Sequence, residues 1–193
     1  MTHTIQPIDF IEGFLAEQRR VREVFMSIYR NHPQSLMDDR ISYRVPVAQL
    51  RARYEALACN LRKNEEIAFH SLVRTGGPTG RSNKHLPLVD FRSRDRSSVE
   101  KTAQTLIGEY AVERAALFES GRSFHLYLGL LLSQEVWVKF MGRLLLLNAR
   151  QGPILTDARW VGHRLMGGYG ALRWSANTSP YAKFGTPWLV REW

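Results

Sequence analysis

The segment Phe124 to Leu130 constrains this chain most, because FHLYLGL is an almost unbroken apolar run bounded by turn residues. A strand with one wet face alternates apolar and polar side chains, so a continuous run of this length predicts a strand covered on both faces. The turn Ser120 to Ser123 precedes it, and Ala115 to Glu119 supplies a second strand on the other side of that turn. A strand covered on both faces requires layers above and below it. Helical patterns alternate with strand patterns along the chain, which predicts an α/β or α+β fold.

Toward the N-terminus, Asp9 and Glu12 have capping-box spacing, and Ile11, Phe14, Leu15, Val21, Phe25 and Ile28 predict one long helix ended by Asn31 to Pro33. Gln34 to Arg44 reads as a loop. Pro46 suits the first turn of a second helix, carried by Leu50, Tyr54, Leu57 and Leu61, with Cys59 packed on its apolar face. Ile67 to Val73 alternates as a strand, TGGPTGR (Thr75 to Arg81) reads as a glycine turn, and His85 to Phe91 reads as the next strand. Ser97 and Glu100 predict a helix to about Val112, and Ser133 caps another through about Leu147. Arg159 to Asn177 is dense in Arg, Gly and Trp. The expected organisation is a helical extension over 1–64 packed on a core over 65–193.

Composition adds the partner. The 193 residues hold 27 Lys and Arg against 18 Asp and Glu, a net charge of +9. The footprint is that of a protein meeting phosphate-rich nucleic acid or nucleotides. From Gly121 to Trp193 there are nine basic residues and three acidic ones, so most of the excess lies there. A lone cysteine argues against a disulfide framework, and no apolar run or N-terminal pattern suggests a membrane span or leader, so a cytoplasmic location with no membrane partner is expected.

Three groups of residues suit phosphoryl chemistry. Asp90 ends the apolar run LPLV, a position from which a carboxylate emerges at a sheet edge, and Asp157 follows a second short apolar run. Mg²⁺ and Mn²⁺ take oxygen ligands, so these two are candidate metal ligands; capping the next helix is the competing role for either. Asp95 reads as a loop or cap residue. Ser123 and His125, two apart on a strand, share a face, and Arg122 stands before them in the glycine turn, a cradle for a nucleoside triphosphate. A Ser–His catalytic pair is the weaker reading, because no third group orients it. Arg164 and Arg173 flank a glycine-bearing stretch and suit phosphate clamping, while Trp160, Tyr169 and Trp174 read as core. TGGPTGR lacks the GK[ST] of a P-loop.

The order LPLVDF, SGRSFHLY, LTDARWVGHRL, followed by arginines, resembles the archaeo-eukaryotic primase superfamily, the primase-polymerase group, over roughly Ile67 to Ser179. That resemblance implies an RRM-like sheet and a DNA primase or polymerase-like nucleotidyltransferase adding nucleotides on a nucleic-acid template in replication. It implies Asp90 and Asp157 as metal ligands for Mg²⁺ or Mn²⁺, with Asp90, Asp157 and His125 catalytic. Arg122, Ser123, His125, Arg164 and Arg173 would bind the nucleotide. DNA or RNA, nucleoside triphosphates and a helicase or other protein subunit are the implied partners. The family's first motif has two carboxylates two residues apart, whereas Asp90 is followed by Phe91 and Arg92. The alternative is a catalytically degenerate primase fold that binds nucleic acid or nucleotide within a larger assembly.

Overall fold

A computed structural model describes residues 4–30, 39–77 and 80–193, and these form two antiparallel sheets with helices packed against them. The elements in chain order are α1 (Pro7–Glu17), β1 (Val21–Arg30), β2 (Arg40–Pro46), a 3₁₀ turn (Val47–Gln49), α2 (Leu50–Cys59), β3 (Glu65–Gly77), β4 (Gly80–His85) and β5 (Leu88–Asp90). They continue with α3 (Arg96–Glu109), β6 (Ala115–Glu119), β7 (Phe124–Leu128), α4 (Gln134–Leu146), α5 (Ala158–Gly167), β8 (Ala171–Arg173), α6 (Ser179–Ala182) and β9 (Trp188–Glu192). The mixed α/β class expected from the sequence is the class observed. No helix among the described residues is long and apolar enough to cross a membrane.

The first sheet has the order β2-β1-β3-β4, and β8 also pairs with β3. β3 is 13 residues long, so one edge takes β8 at Ala68–His70 and β4 from Leu72 onward. The second sheet has the order β5-β7-β6-β9. Within it β5 and β6 run parallel with β7 between them, and α3 makes the crossover, a split β-α-β unit.

Alternation explains why β7 is apolar throughout. Phe124, Leu126 and Leu128 point into a core with Val99, Leu106, Trp137 and Phe140 of α3 and α4. Tyr127, one register away, belongs to a second core with Phe14 of α1, Met26 of β1 and Phe69 of β3. Both faces of the strand are therefore covered, helices on one side and α1 with the first sheet on the other. Burying a side chain of this size contributes about 1.5–3 kcal/mol, so a polar group on either face of β7 needs a specific reason to be there.

Several expectations are corrected. The helix predicted from Asp9 to Ile28 stops at Glu17; its start is a Gln6–Asp9 capping box, Gln6 N–H donating to Asp9 Oδ2 at 2.7 Å, not one built on Asp9 and Glu12. Val21, Phe25 and Ile28 lie on β1, hydrogen-bonded to β2 on one side and β3 on the other. The helical spacing of those three also fits a strand rich in β-branched and aromatic residues, and only a pairing partner decides between them. Residues 40–44, expected in a loop, are part of β2, whereas 31–38 lie outside the described residues. Hence the expected helical extension over 1–64 contributes two strands to the sheet completed by β3 and β4, across the expected boundary.

The strand expected over His85 to Phe91 is split. His85 closes β4 in the first sheet, Pro87 lacks the N–H a ladder needs, and β5 starts at Leu88 in the second. Thr75, Gly76, Gly77, Gly80 and Arg81 of the expected glycine turn are paired strand residues, and Pro78 and Thr79 lie outside the described residues. The cap of α3 is Asp95, which accepts from the Ser97 N–H at 3.1 Å. Cys59 is exposed rather than packed. Ser133 caps α4 as expected, accepting from Val136 N–H.

Candidate active site

At one end of the contact between the sheets the apolar core gives way to a polar cleft of about 540 Å³. Residues of both sheets line it: Asp90 from β5, Ser123 from the turn before β7 and His125 from its start, Arg173 from β8, and Tyr29 and Arg40 from β1 and β2. Asp90 and His125 are register partners across β5 and β7, on the face of β7 that carries Tyr127. The His125 Nε2 lies 3.8 Å from Asp90 Oδ1. His125 is 5% exposed, its buried Nδ1 makes no hydrogen bond, and burial followed by the nearby Arg173 charge holds it well below the usual histidine range. It is a neutral imidazole at pH 7.

Asp157 is brought to Asp90 by the backbone. Phe91 and Thr156 form a β-bridge, and the Asp157 N–H donates to the Asp90 carbonyl at 3.1 Å. Its Oδ1 caps α5, accepting from the N–H groups of Arg159 at 2.9 Å and Trp160 at 3.1 Å. Cap and cleft residue are thus the same side chain. Burial, and then the charge of Asp157, push the Asp90 carboxyl up to about 7, against the opposing pull of Arg173. An acid whose charged form is disfavoured in this way, beside a second carboxylate, is a place where a cation would be stabilised.

Arg173 is 6% exposed, donates to the carbonyls of Ser120 and Ser175, and stacks on Tyr181 with its guanidinium carbon 4.0 Å from the ring centre. It therefore ties β8 to the turn before β7. That turn is closed by Ser120 N–H to the Ser123 carbonyl at 2.9 Å, with Gly121 at φ +108°, a conformation that disfavours side chains. Arg122 stands exposed at its tip, and Arg92 and Arg94, just past Asp90, line the same cleft.

Of the predicted residues, Asp90, Asp157, Arg122, Ser123, His125 and Arg173 meet in this cleft. Arg164 does not line it. Two turns along α5 from Asp157, it is 3% exposed and lies 5.6 Å from the Tyr169 ring. Trp174 is core as expected, stacked on Phe69 at 4.6 Å and donating to the Tyr127 hydroxyl. Tyr29, Arg40 and Tyr181 also line the cleft without a signal in the sequence, the first two because the helical spacing before Tyr29 and the polar stretch around Arg40 conceal their strands. Glu66 is likewise without one. Fully buried beside this end of the first sheet, it accepts from Ser175 Oγ and from the N–H groups of Asn177 and Thr178, fixing the chain that follows Arg173.

Two facing sheets, one a split β-α-β unit with an acid and a histidine paired across its strands, define an α/β protein with an acidic centre rimmed by arginines. The model of the AEP-like family, archaeo-eukaryotic primase 1D-like, matches residues 47–186, and the chain belongs to this family. Searches of curated proteins and of solved structures find no match.

Proposed function

We infer that this chain is a primase-type nucleotidyltransferase of the primase-polymerase kind, joining nucleoside triphosphates on a nucleic-acid template. The observation that carries this reading is the meeting of Asp90, Asp157, Ser123, His125 and the arginines in one cleft. Asp90 and Asp157 suit a single Mg²⁺ or Mn²⁺: they are adjacent oxygen donors, and the raised Asp90 carboxyl is relieved by positive charge. They do not suit a pair of ions, since Arg92 stands where a further carboxylate would be needed, and no group of three or more His, Cys, Asp or Glu suited to a metal occurs among the described residues. A bound divalent cation would supply charge neutralisation at the reacting phosphates.

The protein's own groups do the rest. Arg122 and its neighbours Arg92 and Arg94 bring fixed positive charge to the triphosphate. Ser123 offers a hydroxyl, and the neutral His125 imidazole donates one N–H to a phosphate oxygen. Arg173, already engaged by two carbonyls, acts by charge and by holding the Ser120–Ser123 turn. Positioning and charge stabilisation account for most of the rate in such transfers. The test is incorporation of labelled dNTPs and rNTPs on single-stranded and primed templates with Mg²⁺ or Mn²⁺. Incorporation by the wild type and its loss in Asp90→Ala support the reading; incorporation unchanged in Asp90→Ala defeats it.

A second reading is favoured by Arg92 and by the commitment of Asp157 Oδ1 to capping: the fold holds nucleotide or nucleic acid without turning it over, as a subunit of a larger assembly. A folded wild type that binds nucleic acid and incorporates nothing supports it, and gain of incorporation in Arg92→Asp would trace the silence to the missing carboxylate.

A further inference from the structure

A second groove, of about 600 Å³, opens beside the cleft and shares Arg94, Arg122 and Ser123 with it. Its other walls are Arg96 at the start of α3, Glu119 at the end of β6, and Lys183 and Phe184 just past α6. Four cations thus face one carboxylate. Among the described residues Arg94, Arg122 and Lys183 have no carboxylate at ion-pair distance, while Arg96 meets Glu100 at 2.7 Å. Such uncompensated charge is costly to keep together unless an anion visits it.

Phe184 is the other unusual feature. A large apolar ring, it is 38% exposed in this charged surrounding. It is seated against Gly121: a Cβ there would lie 3.1 Å from Phe184 Cδ2. Lys183 Nζ lies 4.9 Å from the ring centre. Interleaved cations and an anchored aromatic ring in a groove are what a single strand of nucleic acid requires, phosphates meeting the charges and a base stacking on the ring. A duplex offers no exposed base face to Phe184.

We propose that this groove is the track of a single-stranded polynucleotide, leading into the cleft past Arg122, with Phe184 stacking one base. The proposal rests on the nucleotide-transfer reading for its direction, but the binding it describes is separately measurable.

The experiment is fluorescence anisotropy with labelled oligothymidylate and oligouridylate of about twelve nucleotides, alongside a duplex of equal length and a fluorescent nucleoside triphosphate. Lys183→Glu, an exposed change, is expected to weaken both single strands about tenfold and to flatten the salt dependence by nearly one phosphate contact. Phe184→Ala is expected to weaken them about tenfold and Phe184→Trp to retain them, with triphosphate binding within twofold of wild type in all three. Equal weakening of the oligothymidylate and oligouridylate assigns the track to the phosphates and pyrimidine rings that the two polymers share, and loss of only one assigns it to that polymer. Single-strand affinity within twofold of wild type in both Lys183→Glu and Phe184→Ala overturns the proposal, as does a wild type that binds neither strand or prefers the duplex. If Lys183→Glu loses strand binding while the wild type incorporates nothing, the groove stands and nucleotide transfer falls. Incorporation with strand binding unaltered by both variants gives the reverse.

Discussion

The Asp90 carboxylate and the His125 imidazole face each other across the paired strands β5 and β7, Oδ1 to Nε2 at 3.8 Å, on the face of β7 that turns toward the first sheet. That face is otherwise core, occupied by Tyr127 two pairs further along. Two polar groups at the end of an apolar face carry a desolvation cost that an apolar pair there would not, and the buried His125 Nδ1 makes no hydrogen bond to offset it.

Asp157 caps α5 and, on the proposed function, also holds a cation, two roles that substitution separates. Asparagine caps helices nearly as well as aspartate, so Asp157→Asn is expected to keep wild-type stability, whereas Asp157→Ala loses about 1 kcal/mol. Both are expected to lose most Mn²⁺ affinity, measured calorimetrically. Undiminished Mn²⁺ binding in Asp157→Asn would leave the residue as a cap alone.

Arg173 satisfies two backbone carbonyls, those of Ser120 and Ser175. Arg173→Ala is expected to cost about 2 kcal/mol in denaturant unfolding, and Arg173→Lys to recover only part, because an ammonium cannot reach both with fork geometry. Full recovery by lysine would contradict this.

His85 gives the protein an acid limit of stability. It is buried between Ser71 Oγ, 3.1 Å from Nδ1, and Gln134 Oε1, 2.6 Å from Nε2, and stacks on Trp137 at 4.6 Å. Burial lowers its pKa from the ordinary 6.5, partly offset by the Gln134 bond. Below 6.5 the unfolded chain takes up a proton that the folded chain refuses, so stability falls as pH drops through that value, by up to about 1.4 kcal/mol per unit from this residue. His85→Gln is expected to be less stable at pH 7 but to lose less on acidification. Equal losses of unfolding free energy between pH 7 and pH 5.5 in His85→Gln and the wild type, measured with urea, would rule it out.

Gly121 and Gly108 make a matched pair. At Gly121 the φ of +108° and the Phe184 ring both oppose a methyl group, so Gly121→Ala is expected to destabilise by about 1–3 kcal/mol. At Gly108, exposed on α3 with nothing within 4 Å of the point a Cβ would occupy, alanine is expected to stabilise by about 0.5–1 kcal/mol. Thermal unfolding of both variants checks the contrast in sign.

Much of the second sheet was legible because its signals are local. Ala115–Glu119, the Ser120–Ser123 turn and the apolar run after it, and Ser133 before α4 each carry their own instruction in turn chemistry, periodicity or capping. The same alternation placed Ser123 and His125 on one face without any knowledge of what lay opposite. The first sheet was less legible. Val21, Phe25 and Ile28 have helical spacing, and the strand is decided instead by pairing with β3, where Ile28 meets Ile67 and Val21 meets Thr75, far along the chain.

Side-chain chemistry and short-range spacing were enough to establish the α/β class, the basic character, and the hairpin of β6 and β7, and to single out Asp90, Asp157, Arg122, Ser123, His125 and Arg173 as candidates. Which of those residues meet was settled by long-range pairing. The Phe91–Thr156 bridge brings Asp157 to Asp90, β8 carries Arg173 to the Ser120 carbonyl, and β1 and β2 deliver Tyr29 and Arg40, while the turn of α5 keeps Arg164 out of the cleft. Those meetings depend on strand register between distant segments, which is set by the summed burial of two cores and is written in no single stretch of the chain.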